Sequence, residues 1–157
     1  HAINEEALIK ACKNHNFELL ATLLRLKGED KLDLNNLDNK IKNYAFNLAC
    51  YKTKDLNFII VLMTLSPKYF KFISIAKRHF SKKLFSKLLS ELWKNGYINF
   101  IKRGQFTKFK NELLKSDNPG RLFQILKNKI EIEKTFEQTK TAIKTTSTSS
   151  YEDAFAI

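Results

Sequence analysis

Cys12 and His15 stand three residues apart, the spacing that sets two side chains on one face of a helix. A thiol beside an imidazole is the raw material of a base-activated nucleophile. Position argues against that use. Cys12 sits in the small, apolar run "ALIKAC" (7–12), and the pair straddles an expected helix end. Cys50 has no histidine near it in sequence. No CxxC occurs, and His1, His15 and His79 lie at no ligand-like spacing from either thiol, so neither a disulfide framework nor a metal site is expected. Two reduced, buried thiols in a reducing compartment account for the pair better. GxSxG, HExxH, a phosphate-binding Walker loop and paired carboxylates are all missing. The chain is therefore expected to be no enzyme, with no cofactor and no small-molecule substrate.

Charge offers a different chemistry. The formal net charge is +12, and it is unevenly spread. Residues 1–66 hold nine Lys/Arg against eight Asp/Glu, residues 67–129 sixteen against three, and residues 130–157 three against five. "SKKLFSKLLSELWKNG" (81–96) sets Leu84, Phe85, Leu88, Leu89, Leu92 and Trp93 on one stripe, with Lys82, Lys83, Lys87 and Lys94 on or near the other side. Such a helix can cap a soluble core, enter a partner's groove or lie on an anionic membrane. "KRGQFTKFK" (102–110) and "AKRHF" (76–80) mix cations with aromatics, as nucleic-acid binders do to neutralise phosphates and stack bases. The helical spacing of Phe106 and Phe109 points those rings to a core instead. Lys82, Lys83, Lys87, Arg103, Lys108 and Lys110 are the expected partner-binding residues, steering and pairing with an acidic protein surface. Weak, salt-sensitive anion binding is expected beside it. The alternative is a peripheral binder of anionic membrane or nucleic acid, using the same basic 67–129 region.

Helices must position these residues. With 157 residues, four Gly and two Pro, the chain has room for a core but little material for tight-turned β structure. The longest apolar run, "LNFIIVLMTL" (56–65), is too short to span a bilayer and suits a buried helix. Asn4, Asn16, Asp38, Ser66-Pro67 and Ser81 read as helix starts, and Gly28 and Asn95-Gly96 as stops. Asp55 opens a helix to about Leu65, a short helix is expected from Tyr97 to near Gly104, and another from Gln105 to Lys115. "SDNPG" (116–120) starts a last helix that continues to about Ala142. The expected fold is all-α, with eight or nine helices in stacked hairpins. Residues 3–66 form the first hairpins, 67–142 a basic helical region on the same core, and 143–157 a flexible tail.

The hairpins repeat. Ala11-Cys12 precedes "KNHNFELLATLL", and Ala49-Cys50, 38 positions later, precedes "YKTKDLNFIIVLM". Small residues on a first helix admit close approach, and large apolar ones on the second fill the space between units. This pattern resembles a degenerate ankyrin repeat over Ala7–Leu24 and, with one inserted residue, over Tyr44–Met63. "EALI" and "NYAF" stand where the family has Thr-Pro-Leu-His, and His15 stands in place of its Gly. The resemblance implies a scaffold whose exposed side chains vary without disturbing the core.

Two ends of the chain carry their own expectations. His1-Ala2 reads as an appended remnant with natural sequence upstream. "TTSTSSYEDAFAI" (145–157) resembles the C-terminal signals of effectors exported by Legionella-type type IV secretion, and "FAI" matches termini taken up by PDZ domains. The secretion resemblance implies a bacterial effector delivered to a host cytosol, where it binds a host protein.

Overall fold

A computed structural model describes residues 2–155 except position 54, and the side chains of residues 4–143 except 29 and 54. The protein is all-α. Its helices are α1 (Ala2–Asn14), α2 (Phe17–Arg25), α3 (Asn39–Cys50), α4 (Asn57–Leu65), α5 (Lys71–His79), α6 (Lys82–Lys94), α7 (Phe106–Lys115) and α8 (Pro119–Phe155), with one-turn 3-10 helices at Gly28–Asp30 and Arg103–Gln105. No helix among the described residues is long and apolar enough to cross a membrane. Two compact units divide the chain, His1–Phe123 and Gln124–Ile157, so their boundary falls within the region 67–142 and inside α8.

In the first unit, α1 packs on α2 and on α3, α3 on α4 and on α5, and α5 on α6. Three hairpins thus follow one another, their first helices side by side. The small pairs allow this: Ala11, Cys12, Ala49 and Cys50 are all buried. Phe46 of α3 stacks on Phe72 of α5, with ring centroids 3.9 Å apart. The stops of α1 and α3 share a device. His15 and Lys52 each take a left-handed φ, 50° and 56°, where glycine is the usual choice. His15 earns the position with its ring, which stacks on Phe58 at 4.8 Å while Nε2 donates to the Ala49 carbonyl at 2.6 Å. It ties the first hairpin to the second.

Several starts fall where expected. Asn16 accepts from the Leu19 amide, Asp38 from Lys40 and Ser81 from Leu84, at 3.0, 2.9 and 3.1 Å. Others differ. Asn4 lies inside α1, its side-chain amide donating to the Asp30 carbonyl. Gly28 is left-handed, yet it opens a 3-10 turn three residues after α2 has ended. Ser66 does not start a helix: its amide closes α4 on the Leu62 and Met63 carbonyls, its buried Oγ has no hydrogen-bond partner among the described residues, and α5 begins at Lys71. The helix expected from Tyr97 is absent as well. Gly96 turns left-handed, the Tyr97 and Ile98 amides fold back to the Leu92 carbonyl, and Ile98 and Phe100 reach the core from irregular backbone. Only the turn Arg103–Gln105 is helical there, as 3-10.

The start of α8 locks onto α5. Asn118 accepts from the Arg121 amide, which leaves Pro119 at the first helical position. Ser74 Oγ donates to Asn118 Oδ1 and accepts from the Gly120 amide, both at 2.8 Å, and Lys77 Nζ donates to the Ser116 carbonyl. A β-carbon at Gly120 would be driven into the Phe70 carbonyl, so only glycine permits this approach. In the second unit α8 continues to Phe155, through the segment expected as a tail; Ala156 and Ile157 lie outside the described residues.

Candidate protein-binding surface

The apolar stripe of α6 faces inward: Phe85, Leu88, Leu89 and Leu92 are buried, and Leu84 and Trp93 half-buried. Lys82, Lys83 and Lys87 consequently stand exposed, and none of them has an ion pair among the described residues. Lys82 and Lys83 occupy the first turn, which holds no acidic residue. That is the positive end of the helix dipole, where a cation costs rather than gains stability. The acid nearest them on α6 is Glu91, and it pairs with Lys94 at 3.6 Å.

Arg103, Lys108 and Lys110 belong to a second group. Trp93 near the end of α6 stacks on Phe106 at the start of α7, centroids 4.6 Å apart and planes 21° apart. Lys110 Nζ lies 5.9 Å from the centre of the Phe106 ring, while Arg103 and Lys108 are exposed. The stack pins the turn end of the α6–α7 hairpin. Lys82 precedes Trp93 by eleven residues, roughly 16 Å of helical rise. Lys82, Lys83 and Lys87 lie on α6, and Arg103, Lys108 and Lys110 on the 3-10 turn and the helix α7 that follow it. Phe109 is buried and Phe106 is covered by Trp93, so these rings offer no free platform for a base.

The thiols are placed for packing. Burial pushes the Cys12 thiol up to about 12, and burial raises Cys50 too, with Cys12 beside it adding to the effect. An activated nucleophile needs the opposite shift. His15 directs Nε2 to the Ala49 carbonyl, which ties its ring to the second hairpin. Burial, followed by the charge of Arg78, lowers His79, whose Nε2 donates to Asn47 Oδ1 at 2.8 Å.

Comparison with family models, curated proteins and solved structures returned no match.

One feature of this unit is invisible in the linear sequence. Lys13, Asn14, His15, Tyr51, Lys52 and Asp55 line an open cleft of about 480 Å³ at the ends of α1 and α3. Lys52 Nζ stands 5.3 Å over the Tyr51 ring, and Tyr51 is 60% exposed. The two left-handed non-glycine residues among the described residues, His15 and Lys52, meet here. His15 had a signal, since it stands in place of the ankyrin pattern's Gly and His is enriched in such backbone, whereas Lys52 had none.

Proposed function

We propose that this chain is a non-enzymatic protein-binding module whose basic α6–α7 hairpin engages an acidic protein surface. One observation carries the proposal: Lys82 and Lys83 are exposed, unpaired among the described residues, and set at the helix end where their charge is least welcome. A bound carboxylate relieves that cost, so the free protein holds a site that an acidic partner improves. Lys87 extends the site along α6, and Arg103, Lys108 and Lys110 form its second group. Side-by-side first helices and matching left-handed stops at His15 and Lys52 support an ankyrin-like scaffold behind the hairpin. The resemblance of residues 145–157 to exported C-terminal signals supports a bacterial effector meeting a host protein.

Pull-down from host-cell lysate with mass spectrometry tests the proposal. The chain should retain proteins with acidic surfaces, and Lys82→Glu/Lys83→Glu/Lys87→Glu should lose them. Retention untouched by the reversal would refute it. Binding to anionic membrane or nucleic acid is the second use open to the same cations. Burial of the α6 apolar stripe weighs against membrane insertion, and the covered Phe106 against base stacking. Liposome flotation and a salt-titrated gel shift should be negative, or lost near physiological salt.

A further inference from the structure

The second unit carries an exposed apolar face on α8. Ile125, Ile132, Phe136 and Ile143 on α8 are 51, 68, 65 and 62% exposed. Single exposed apolar residues are ordinary, but four on one helix face are a patch. Their separations are seven, four and seven, so the eleven-residue step from Ile125 to Phe136 recurs from Ile132 to Ile143. Eleven residues in three turns, roughly 3.67 per turn, keep the stripe on one side of a nearly straight helix. Between the large side chains, Asn128, Glu131, Thr135 and Thr139 join Ile132 and Phe136 in lining a groove of about 540 Å³.

The spacing identifies the occupant. Seven, four, seven reads the same in both directions, with Lys134 at its centre. A second copy of α8 laid antiparallel about that centre sets Ile125 against Ile143 and Ile132 against Phe136, at both ends of a two-fold seam. Few unrelated helices would match all four layers in one register. Charge agrees with this choice: the second unit holds five lysines and five acidic residues, whereas all of the net +12 lies in the first. An acidic partner is drawn to the first unit, not to this face. We propose that α8 self-associates, pairing two copies of the chain antiparallel through Ile125, Ile132, Phe136 and Ile143.

Two consequences follow from the register. The seam rises roughly 27 Å and is about one helix wide, small beside the roughly 1,200–2,000 Å² of stable interfaces, so the pair forms weakly and with concentration. Lys129 of one copy also comes level with residue 139 of the other, next to Lys140. Salt screens this pair and the two basic first units, so it strengthens the dimer while weakening the acidic-partner contact.

Sedimentation equilibrium of the full chain tests the inference. The mass should rise from 18.3 kDa toward twice that value with concentration, and rise further in salt. Ile132→Gln/Phe136→Gln should remain monomeric with its helix content in the first unit intact, whereas Tyr44→Gln, an exposed aromatic on α3, should dimerise normally. A monomer at every concentration would overturn the inference. Association that survives the double substitution, or that salt dissolves, would overturn it equally.

Discussion

At Cys12 a single thiol links packing to pH. Its ordinary value of 9.0 rises to about 12 on burial, so the unfolded chain ionises first as pH increases. Stability from the buried neutral thiol is complete below pH 9 and is lost between 9 and 12, at about 1.4 kcal/mol per pH unit. Cys50 acts in the same sense, and Tyr97, raised to about 12 by burial, joins above its ordinary 10.0. Urea denaturation should therefore show constant thiol contributions near neutrality and a steep alkaline fall, which Cys12→Ala/Cys50→Ala makes shallower. An unchanged slope would mean that the thiols are not buried in the folded protein. Lys52 gives a second test. Its left-handed φ of 56° costs a non-glycine residue about 1–2 kcal/mol, and its amine lies over the exposed Tyr51 ring. Lys52→Gly should raise the unfolding free energy by roughly 1 kcal/mol. His15→Gly should lower it, because the Phe58 stack and the bond to Ala49 disappear with the ring. These opposite signs at equivalent helix ends separate backbone strain from side-chain anchoring.

Helix identity was readable from the chain, and helix boundaries were readable where a side chain caps. Asn16, Asp38 and Ser81 cap as their types suggest, since an Asx or Ser oxygen reaches the second or third amide from local geometry alone. Ser66-Pro67 has the same local grammar and fails, because closing α4 takes the Ser66 amide and burial isolates its hydroxyl. Residues 97–102 fail for the converse reason. Ile98 and Phe100 are worth more in the core than a helical turn would be, and that balance belongs to the fold. Gly120 shows a third limit. The sequence places it only in a helix-start segment, whereas its lack of a β-carbon is what lets α8 reach Phe70 and Ser74. Gly120→Ala should destabilise the protein by about 2 kcal/mol or more, measured by thermal unfolding, through displaced backbone and a lost amide bond. Wild-type stability in that variant would contradict the contact.

Across the whole molecule, charge and apolar surface are divided between two units. The first carries all of the net charge and a basic hairpin, and the second is neutral with an apolar seam. The charge excess of 67–129 was plain from counting, as was the inward stripe of α6. The Trp93–Phe106 stack that pins the α6–α7 turn was not, because the two rings stand thirteen residues apart in the chain. The apolar residues of α8 were equally visible as types, but periodicity alone cannot tell a core face from an uncovered one. Binding by the α6 lysines is tested most directly by measuring affinity and stability together in Lys82→Glu/Lys83→Glu/Lys87→Glu. Carboxylates in the first turn of α6 suit the helix dipole, so unfolding should cost about 0.3–1 kcal/mol more for each of positions 82 and 83. Affinity for the captured acidic protein should fall at least about tenfold in the same variant. Affinity that holds while stability rises would show the lysines to be plain solvated surface, and the account would be wrong.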